Sequence, residues 1–196
     1  FEPNRGQAAD EVQFLARAPG YLLQLTATEA RLLISGAAET ITANPADAEL
    51  PSARETTAPG TQHALRFTWL DANAGARASG EAPLPGTMNY LKGNDASRWR
   101  TGIPTYERVR YQEFYPGVDL VYYGNNRDVE YDLIVAPHAD ARAARLRLEG
   151  AAGTLTEDGD LDLTLSAGRI LRREAPVAYL ESDGKRVLID PFLTGT

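Results

Sequence analysis

One stretch, Asn89 to Val135, limits what this chain can fold into more than any other. It holds seven of the nine tyrosines and one of the two tryptophans, and aromatic residues favour pleated, half-buried strands. Pro116-Gly117 supplies one tight turn. The Gly-Asn-Asn-Arg segment that begins at Gly124 supplies another, because Gly and Asn tolerate positive φ. The pattern predicts a hairpin of strands 118–123 and 128–135.

The rest of the chain repeats this short-strand pattern, with around a dozen β-type runs and almost no helical periodicity. Three runs between Val12 and Ile34, two of them joined by a Pro-Gly turn, predict a meander. Two stretches rich in small residues, 35–60 and 71–86, are typical of long loops. We therefore predict an all-β fold, an antiparallel β-sandwich with long loops and little helix.

The length of 196 residues fits a single β-rich domain, 1–196, since a chain of this size buries a sizeable core. The stretch 71–86 is the best candidate for a division into two packed β subdomains. Such a division would separate an N-terminal meander, 1–80, from a main sandwich, 87–196.

Charge and composition exclude several classes of function. A net charge of −7 disfavours nucleic acid as a partner, because phosphate binding requires clustered Lys and Arg. Without cysteine the chain has no disulfides, thiolate nucleophiles or zinc ribbons, and we expect no cofactor. No apolar run reaches the ~18 residues of a membrane helix, so we expect no membrane insertion. The first residue is Phe1 rather than Met, which indicates a mature form or an excised domain and fits an exported protein whose signal peptide has been removed.

The aromatic side chains of the central stretch are the best candidates for a binding face, since flat rings stack on a ligand and polar neighbours hydrogen-bond to it. The candidates are Tyr90, Trp99, Tyr106, Tyr115, Tyr122 and Tyr123. Strand packing requires the same residue types, and core packing is the favoured interpretation. Because side chains alternate along a strand, Tyr122 and Tyr123 must lie on opposite faces.

Paired carboxylates allow a second interpretation, a carbohydrate-active enzyme, which requires two carboxyl groups ~5–9 Å apart. Glu130 with Asp119 or Asp132 would supply the pair, and Glu130 and Asp132 share one strand face. The same spacing is typical of a face that meets water, which is the interpretation we favour. His63 and His138 lack the signature of a catalytic histidine and are predicted to be structural.

An acidic run offers weak candidates for a metal site. Asp158, Asp160 and Asp162 could bind calcium, which prefers six to eight oxygen ligands, and the chain would then be a calcium-stabilised adhesion module. The spacing is not that of an EF-hand loop. Alternation of the aspartates with leucines is typical of a half-solvated hairpin, so no metal site is the favoured interpretation.

Four arginines fall within thirteen residues, and they allow two interpretations. They are Arg98, Arg100, Arg108 and Arg110. Their guanidinium groups could receive an acidic ligand. They could also pair across strands with neighbouring carboxylates, which is the arrangement that we expect. The acidic candidates are Glu107, Glu113, Asp119 and Glu130.

Several motifs in order resemble one known family. They are Phe-Glu-Pro-Asn-Arg-Gly-Gln from Phe1, Asn-Tyr-Leu-Lys-Gly-Asn from Asn89, Tyr-Pro-Gly-Val-Asp-Leu-Val-Tyr-Tyr-Gly from Tyr115 and Glu-Tyr-Asp-Leu-Ile-Val-Ala-Pro from Glu130. Together they resemble the N-terminal domain of bacterial secreted proteins that carry SBBP-type β-propeller repeats. The segment after Ser182 is shorter than that family's usual continuation.

The resemblance implies an extracellular or cell-surface location and adjacent repeat modules in the full-length chain. It implies no activity. From it we expect a non-enzymatic structural or recognition module, with a glycan or another surface protein as partner.

Overall fold

The computed structural model describes residues 1–35, 62–124, 129–165, 170–175, 177–182 and 185–189. These residues are mostly strand, and all strand pairs are antiparallel, which confirms the predicted all-β class. Contacts group the chain into two compact units, Phe1–Glu149 and Gly150–Thr196. No helix among the described residues is long and apolar enough to cross a membrane.

A six-stranded sheet in the first unit follows the order β1-β2-β3-β4-β5-β10. Its strands are β1 (Glu2–Pro3), β2 (Phe14–Ala18), β3 (Tyr21–Leu25), β4 (Glu29–Ser35), β5 (Gln62–Leu70) and β10 (Arg145–Glu149). Strands β2 to β4 are the predicted meander, and Gly20 takes the positive φ of +92° that the β2–β3 turn requires. The predicted loop at 35–60 lies almost wholly outside the described residues.

A four-stranded sheet in the same unit follows the order β6-β7-β8-β9. Its strands are β6 (Ala78–Tyr90), β7 (Arg100–Tyr115), β8 (Val118–Gly124) and β9 (Val129–Val135). Strands β8 and β9 form the predicted hairpin, although residues 125–128 of its turn lie outside the described part. Pro116 and Gly117, with φ of +71° at the glycine, join β7 to β8 as predicted.

Strand β6 corrects the prediction of a loop over 71–86. Its first half, from Ala78, pairs with β7 despite Pro83 and Pro85. The strand lies at the edge of its sheet, where a proline need not donate a ladder hydrogen bond. The sequence signals of a loop, proline and small residues, are therefore also those of an edge strand.

The core of the first unit lies between the two sheets, which pack face to face as a sandwich. The six-stranded sheet contributes Phe14, Leu23, Leu25, Ala30 and Trp69, and the four-stranded sheet contributes Val109, Tyr111, Phe114, Tyr115, Val118, Leu120 and Tyr122. The edge strand β1 also reaches β7, because the Phe1 nitrogen donates to the Tyr106 carbonyl at 2.8 Å and the Tyr106 nitrogen donates back at 2.8 Å.

The second unit contains a three-stranded sheet and a separate hairpin. The sheet is β11 (Ala152–Leu155), β12 (Leu161–Thr164) and β13 (Ile170–Arg173), and the hairpin is β14 (Ala178–Ser182) with β15 (Lys185–Ile189). The division predicted near 71–86 falls inside the first unit, between its two sheets, and stays a prediction.

Candidate functional site

Two of the six aromatic candidates lie in the core. Tyr122 is 5% exposed, and its hydroxyl accepts a hydrogen bond from Trp69 Nε1 at 2.9 Å. Tyr115 is 2% exposed and donates from its hydroxyl to the Leu70 carbonyl at 2.8 Å. Both bonds join one sheet to the other. The core environment accounts for these two tyrosines, and burial raises the pKa of Tyr122.

A third tyrosine, outside the list of candidates, acts in the same way. Tyr111 is 1% exposed and donates to the Thr26 carbonyl at 2.6 Å, again from one sheet to the other. Burial raises the pKa of its hydroxyl well above the ordinary value. Each of the three hydroxyls therefore has a hydrogen-bond partner in the interior.

The candidates Tyr106 and Tyr123 lie nearer the surface. Tyr123 points away from the core, on the face opposite Tyr122 as predicted, and donates to Asp132 Oδ1 at 3.0 Å. Tyr106 is half-buried and packs edge-on against Phe14, with 6.2 Å between ring centroids. Its ring also covers Gly80, where an added Cβ would lie 2.4 Å from Tyr106 Cγ.

The last two candidates, Tyr90 and Trp99, belong to the part of the β6–β7 hairpin that extends beyond β8. Strand β8 pairs with β7 only between Arg108 and Tyr115, whereas β6 and β7 continue to pair with each other as far as Tyr90 and Arg100. We call residues 84–105, the end of this hairpin, the arm. Four large apolar side chains of the arm are at least 38% exposed. They are Leu84, Met88, Leu91 and Trp99.

The loop at the tip of the arm holds Trp99 in place. Residues Ala96–Arg98 form one 3₁₀ turn, and Asp95 caps it by accepting from the Ser97 nitrogen at 3.0 Å. Trp99 ends the turn and donates from Nε1 to the Gly93 carbonyl at 3.1 Å. The indole ring is thus oriented by its own loop while 39% of the residue stays exposed.

An open cleft of about 480 Å³ lies beside Trp99. Its lining residues are Arg5, Trp99, Arg100, Thr101, Gly102, Ile103 and Pro104. Arg100 is fixed there by backbone carbonyls: Nε donates to Arg5 O at 3.0 Å, and Nη1 donates to Trp99 O at 3.1 Å and Ser97 O at 3.3 Å. Gly6 permits this approach, since a Cβ at Gly6 would lie 3.1 Å from Arg100 Nε.

A buried carboxylate ties the arm to the six-stranded sheet. Glu2 Oε1 accepts a short hydrogen bond from the Tyr90 hydroxyl and a bond from Arg17 Nε at 3.4 Å. Arg17 Nε also donates to the Tyr90 hydroxyl at 2.8 Å, and its guanidinium carbon lies 5.4 Å from the Tyr90 ring centroid. Burial and the Glu2 carboxylate raise the pKa of Tyr90. Glu2 Oε2 is buried with no hydrogen-bond partner among the described residues.

The four arginines of the central stretch divide into two kinds. Arg110 forms two ion pairs, with Glu81 Oε1 at 2.6 Å and Asp119 Oδ2 at 3.0 Å, so the predicted pairing with Asp119 is confirmed. Arg98 and Arg100 of the arm and Arg108, exposed in β7, are of the other kind: within the described ranges none of them has a carboxylate oxygen within 4.0 Å.

The carboxylates considered for hydrolysis lie on the outer face of the four-stranded sheet. Asp119 accepts from Arg110 and also from the Glu113 nitrogen at 2.8 Å, and Asp132 accepts from Tyr123. Glu130 is exposed and stands opposite Tyr123 in the ladder. Two of these three acids therefore already have structural partners, and a catalytic role for the set stays a prediction.

The acidic run in the second unit is engaged by an arginine and a backbone nitrogen. Asp162 accepts from Arg172 Nε at 2.7 Å and Nη2 at 2.9 Å, and Asp160 accepts from the Ala175 nitrogen at 2.9 Å. Asp158 lies in the exposed turn. Within the described residues, no group of three or more His, Asp or Glu side chains is placed to hold a metal ion.

The predicted structural histidines are separated in the fold. His63 is buried at 8% exposure in β5, and His138 is exposed in a turn with φ of +69°. Sequence reasoning missed Glu2 and Arg17, because the contacts of both with Tyr90 span more than seventy residues of sequence. It also missed Leu84, because the stretch 71–86 was predicted to be a loop, and it did not single out Met88.

Comparison with known proteins gives one match. The model of a family described as a domain of unknown function (DUF7948) matches residues 1–191. No curated protein and no solved structure matches the sequence.

Proposed function

We propose that this chain, which belongs to the DUF7948 family of domains of unknown function, is a non-enzymatic recognition module and that its binding face is the arm. We further propose that it works outside the cell or on its surface, ahead of β-propeller repeats. The location and the neighbouring repeats rest on the sequence resemblance described above. The binding face rests on the structure of the arm.

The observation that carries the binding face is the contrast between the closed core and the open arm. Clustered exposed apolar side chains on a folded protein commonly mark a surface that another molecule covers. Leu84, Met88 and Leu91 are exposed in the same hairpin as Trp99. Tryptophan and arginine are also the residue types that contribute most to binding interfaces, and both line the adjacent cleft.

Preorganisation supports the same assignment. The Trp99 ring is held by its bond to Gly93, Arg100 is held by three carbonyls, and Tyr90, at the end of the β6–β7 ladder beside the tip loop, is held by Glu2. A side chain that is ordered before binding loses less conformational entropy when a ligand arrives. The arm therefore combines exposure with order.

The test is binding by matched variants on an array of glycans and bacterial surface proteins. Trp99→Ala is expected to weaken binding at least tenfold with an almost unchanged melting temperature, since this ring is exposed. Tyr123→Phe serves as the control, because it alters an aromatic residue on the outer face of the same sheet but outside the arm. Equal binding by wild type and Trp99→Ala would exclude the arm as the binding face.

A carbohydrate-active enzyme that uses Glu130 with Asp119 or Asp132 is the alternative, and the same glycans test it. If wild type and Trp99→Ala release hydrolysis products from a glycan and Glu130→Gln does not, the chain is an enzyme rather than a recognition module. A calcium-stabilised adhesion module is the second alternative. It predicts that a chelator lowers the melting temperature, whereas the recognition module at the arm predicts no shift.

A further inference from the structure

We infer that the ligand of the arm is an acidic polysaccharide, a polymer whose sugar rings carry anionic groups such as uronate carboxylates. This inference rests on the proposed recognition function and specifies the class of ligand. It depends on the charge of the arm, on the way Arg100 is held, and on the shape of the surface around Trp99.

The arm is positive in a chain that is otherwise negative. Between residues 84 and 105 the charged side chains are Lys92, Arg98 and Arg100 against the single carboxylate of Asp95, whereas the whole chain has a net charge of −7. Arg5 adds a fourth cation at the cleft. Screening over about 8 Å at physiological salt lets these nearby charges outweigh the distant negative ones at the binding face.

The cations of the arm and its cleft also differ in their partners from the described arginines that form ion pairs. Seven described arginines form ion pairs: Arg17, Arg31, Arg66, Arg110, Arg142, Arg145 and Arg172. In the described part of the chain, no carboxylate oxygen lies within 4.0 Å of the cationic group of Arg5, Lys92, Arg98 or Arg100. These four are available to an external anion.

Arg100 has the position expected of a residue that receives that anion. Three backbone carbonyls orient its guanidinium but do not neutralise its charge. The residue is half-buried at the wall of the cleft, and its guanidinium bonds lie at the exposed surface. A planar guanidinium fixed in this way binds a carboxylate or sulfate with little loss of side-chain entropy.

The surface beside Arg100 favours a sugar polymer. The oriented and exposed Trp99 ring offers a flat apolar face on which a sugar ring can stack. The cleft is open, and a volume of about 480 Å³ is within the range of small-ligand sites. A chain that passes through an open cleft can place one ring on Trp99 and an anionic group on Arg100.

Nucleic acid fits the same surface less well. Specific and non-specific binding to a duplex commonly depends on six or more phosphate contacts from Lys and Arg, whereas the arm and its cleft supply four cations. A single exposed aromatic ring in the arm also gives one stacking position rather than a series of them.

The test is a titration of the whole chain with polygalacturonate and with the same polymer after methyl esterification, which keeps the sugar rings and removes their charge. We expect at least tenfold tighter binding to the charged polymer, and an affinity that falls as sodium chloride is raised. Arg98→Gln and Arg100→Gln are each expected to weaken binding about tenfold, which corresponds to about 1.4 kcal/mol. Arg98→Gln retains the carbonyl bonds of Arg100, so it remains informative if Arg100→Gln perturbs the loop.

The matched control is Arg147→Gln, which removes the same charge from an exposed position in β10, on the other sheet. It should bind as wild type does. If the chain binds the esterified and the charged polymer equally tightly and Trp99→Ala weakens both, the ligand is not acidic. The proposed recognition function would then still hold. Tighter binding to single-stranded oligothymidine than to polygalacturonate would overturn the polysaccharide. The polysaccharide would also be overturned if the chain binds neither form of polygalacturonate and instead binds a protein on the array in a way that Trp99→Ala abolishes.

Discussion

The two tryptophans of this chain have opposite roles. Trp69 is 4% exposed, lies between the two sheets, and packs edge-on against Tyr131 at 5.1 Å and Phe114 at 6.0 Å. Trp99 is 39% exposed and lies at the tip of a ribbon. Each indole N–H has a hydrogen-bond partner, but Trp69 reaches across the core to Tyr122 while Trp99 reaches a carbonyl six residues away.

The comparison shows that the number of neighbouring strands decides which aromatic residues are available to a ligand. Where β7 lies between β6 and β8, its inward side chains meet the other sheet and are buried. Where β6 continues beyond the end of β8 with β7 as its only pairing partner in the sheet, its residues from Leu84 to Asn89 stay exposed, although Ile103 of β7 is buried at 2% exposure. The pairing of the strands, rather than the type of residue, therefore separates the buried aromatic side chains from the exposed one at Trp99.

The largest expected effect comes from truncating each tryptophan in turn. Trp69→Ala should reduce the free energy of unfolding by about 3–5 kcal/mol, since it opens a cavity in the aromatic core, and it also leaves the Tyr122 hydroxyl without its donor. Trp99→Ala should change it by about 0.5 kcal/mol or less, as is usual for surface substitutions. Urea unfolding of both variants measures the difference. Similar losses in the two variants would mean that the arm is part of the core.

Alkaline pH probes the buried tyrosines against the exposed ones. Burial raises the pKa values of Tyr111 and Tyr122, so above pH ~10 the unfolded state ionises at these positions while the native state does not. Stability should be complete below pH ~10 and should fall above it by about 1.4 kcal/mol per pH unit for each of the two groups.

Tyrosinate absorbance and urea unfolding, both measured against pH, check this expectation. The absorbance of the folded protein should remain below that of nine ionised tyrosines until the protein unfolds. In Tyr122→Phe the loss of stability per pH unit should be smaller. A complete titration of all tyrosines in the folded state would contradict the assignment of Tyr111 and Tyr122 to the core.

Glycine positions in β6 distinguish the packed half of that strand from the arm. Gly80→Ala places a Cβ 2.4 Å from Tyr106 Cγ and should cost about 1–3 kcal/mol through overpacking. Gly86→Ala is the control in the arm, where the nearest atom to an added Cβ is Thr105 Oγ1 at 3.9 Å. Thermal unfolding should separate the two variants clearly, and equal melting temperatures would argue against close packing of Tyr106 on Gly80.

The sequence predicted the class of fold and the positions of several strands because the evidence for these is local. Alternation and turn residues placed the meander and the hairpin after Gly117 within a few residues of the observed strands. The predicted start of β6 was wrong because Gly80 and Pro83 are residues that rarely occur inside strands. The strand accommodates them because the Tyr106 ring covers Gly80 and because β6 lies at the edge of its sheet. Neither condition is visible in the local sequence.

The candidate site was only partly predictable for a related reason. Alternation predicted that Tyr122 and Tyr123 face opposite ways, but it could not say which face meets the second sheet. Trp99 was singled out from composition alone, and its exposure depends on where β8 ends. Glu2 is a still more distant case, since its partner Tyr90 lies 88 positions away along the chain.

The smallest expected effect concerns the bond that ties the arm to the rest of the unit. Tyr90→Phe removes the hydroxyl that joins Glu2 to Arg17, and it should cost about 1–2 kcal/mol because Glu2 then keeps only a long bond to Arg17 inside the protein. Tyr123→Phe removes a hydroxyl that bonds to Asp132 on the outer face of the sheet and should cost less. Hydrogen exchange in the arm should rise in Tyr90→Phe and stay unchanged in Tyr123→Phe. If exchange in the arm is the same in both variants, the order of the arm comes from the β6–β7 ladder alone, and the contrast with the core then lies in exposure rather than in anchoring.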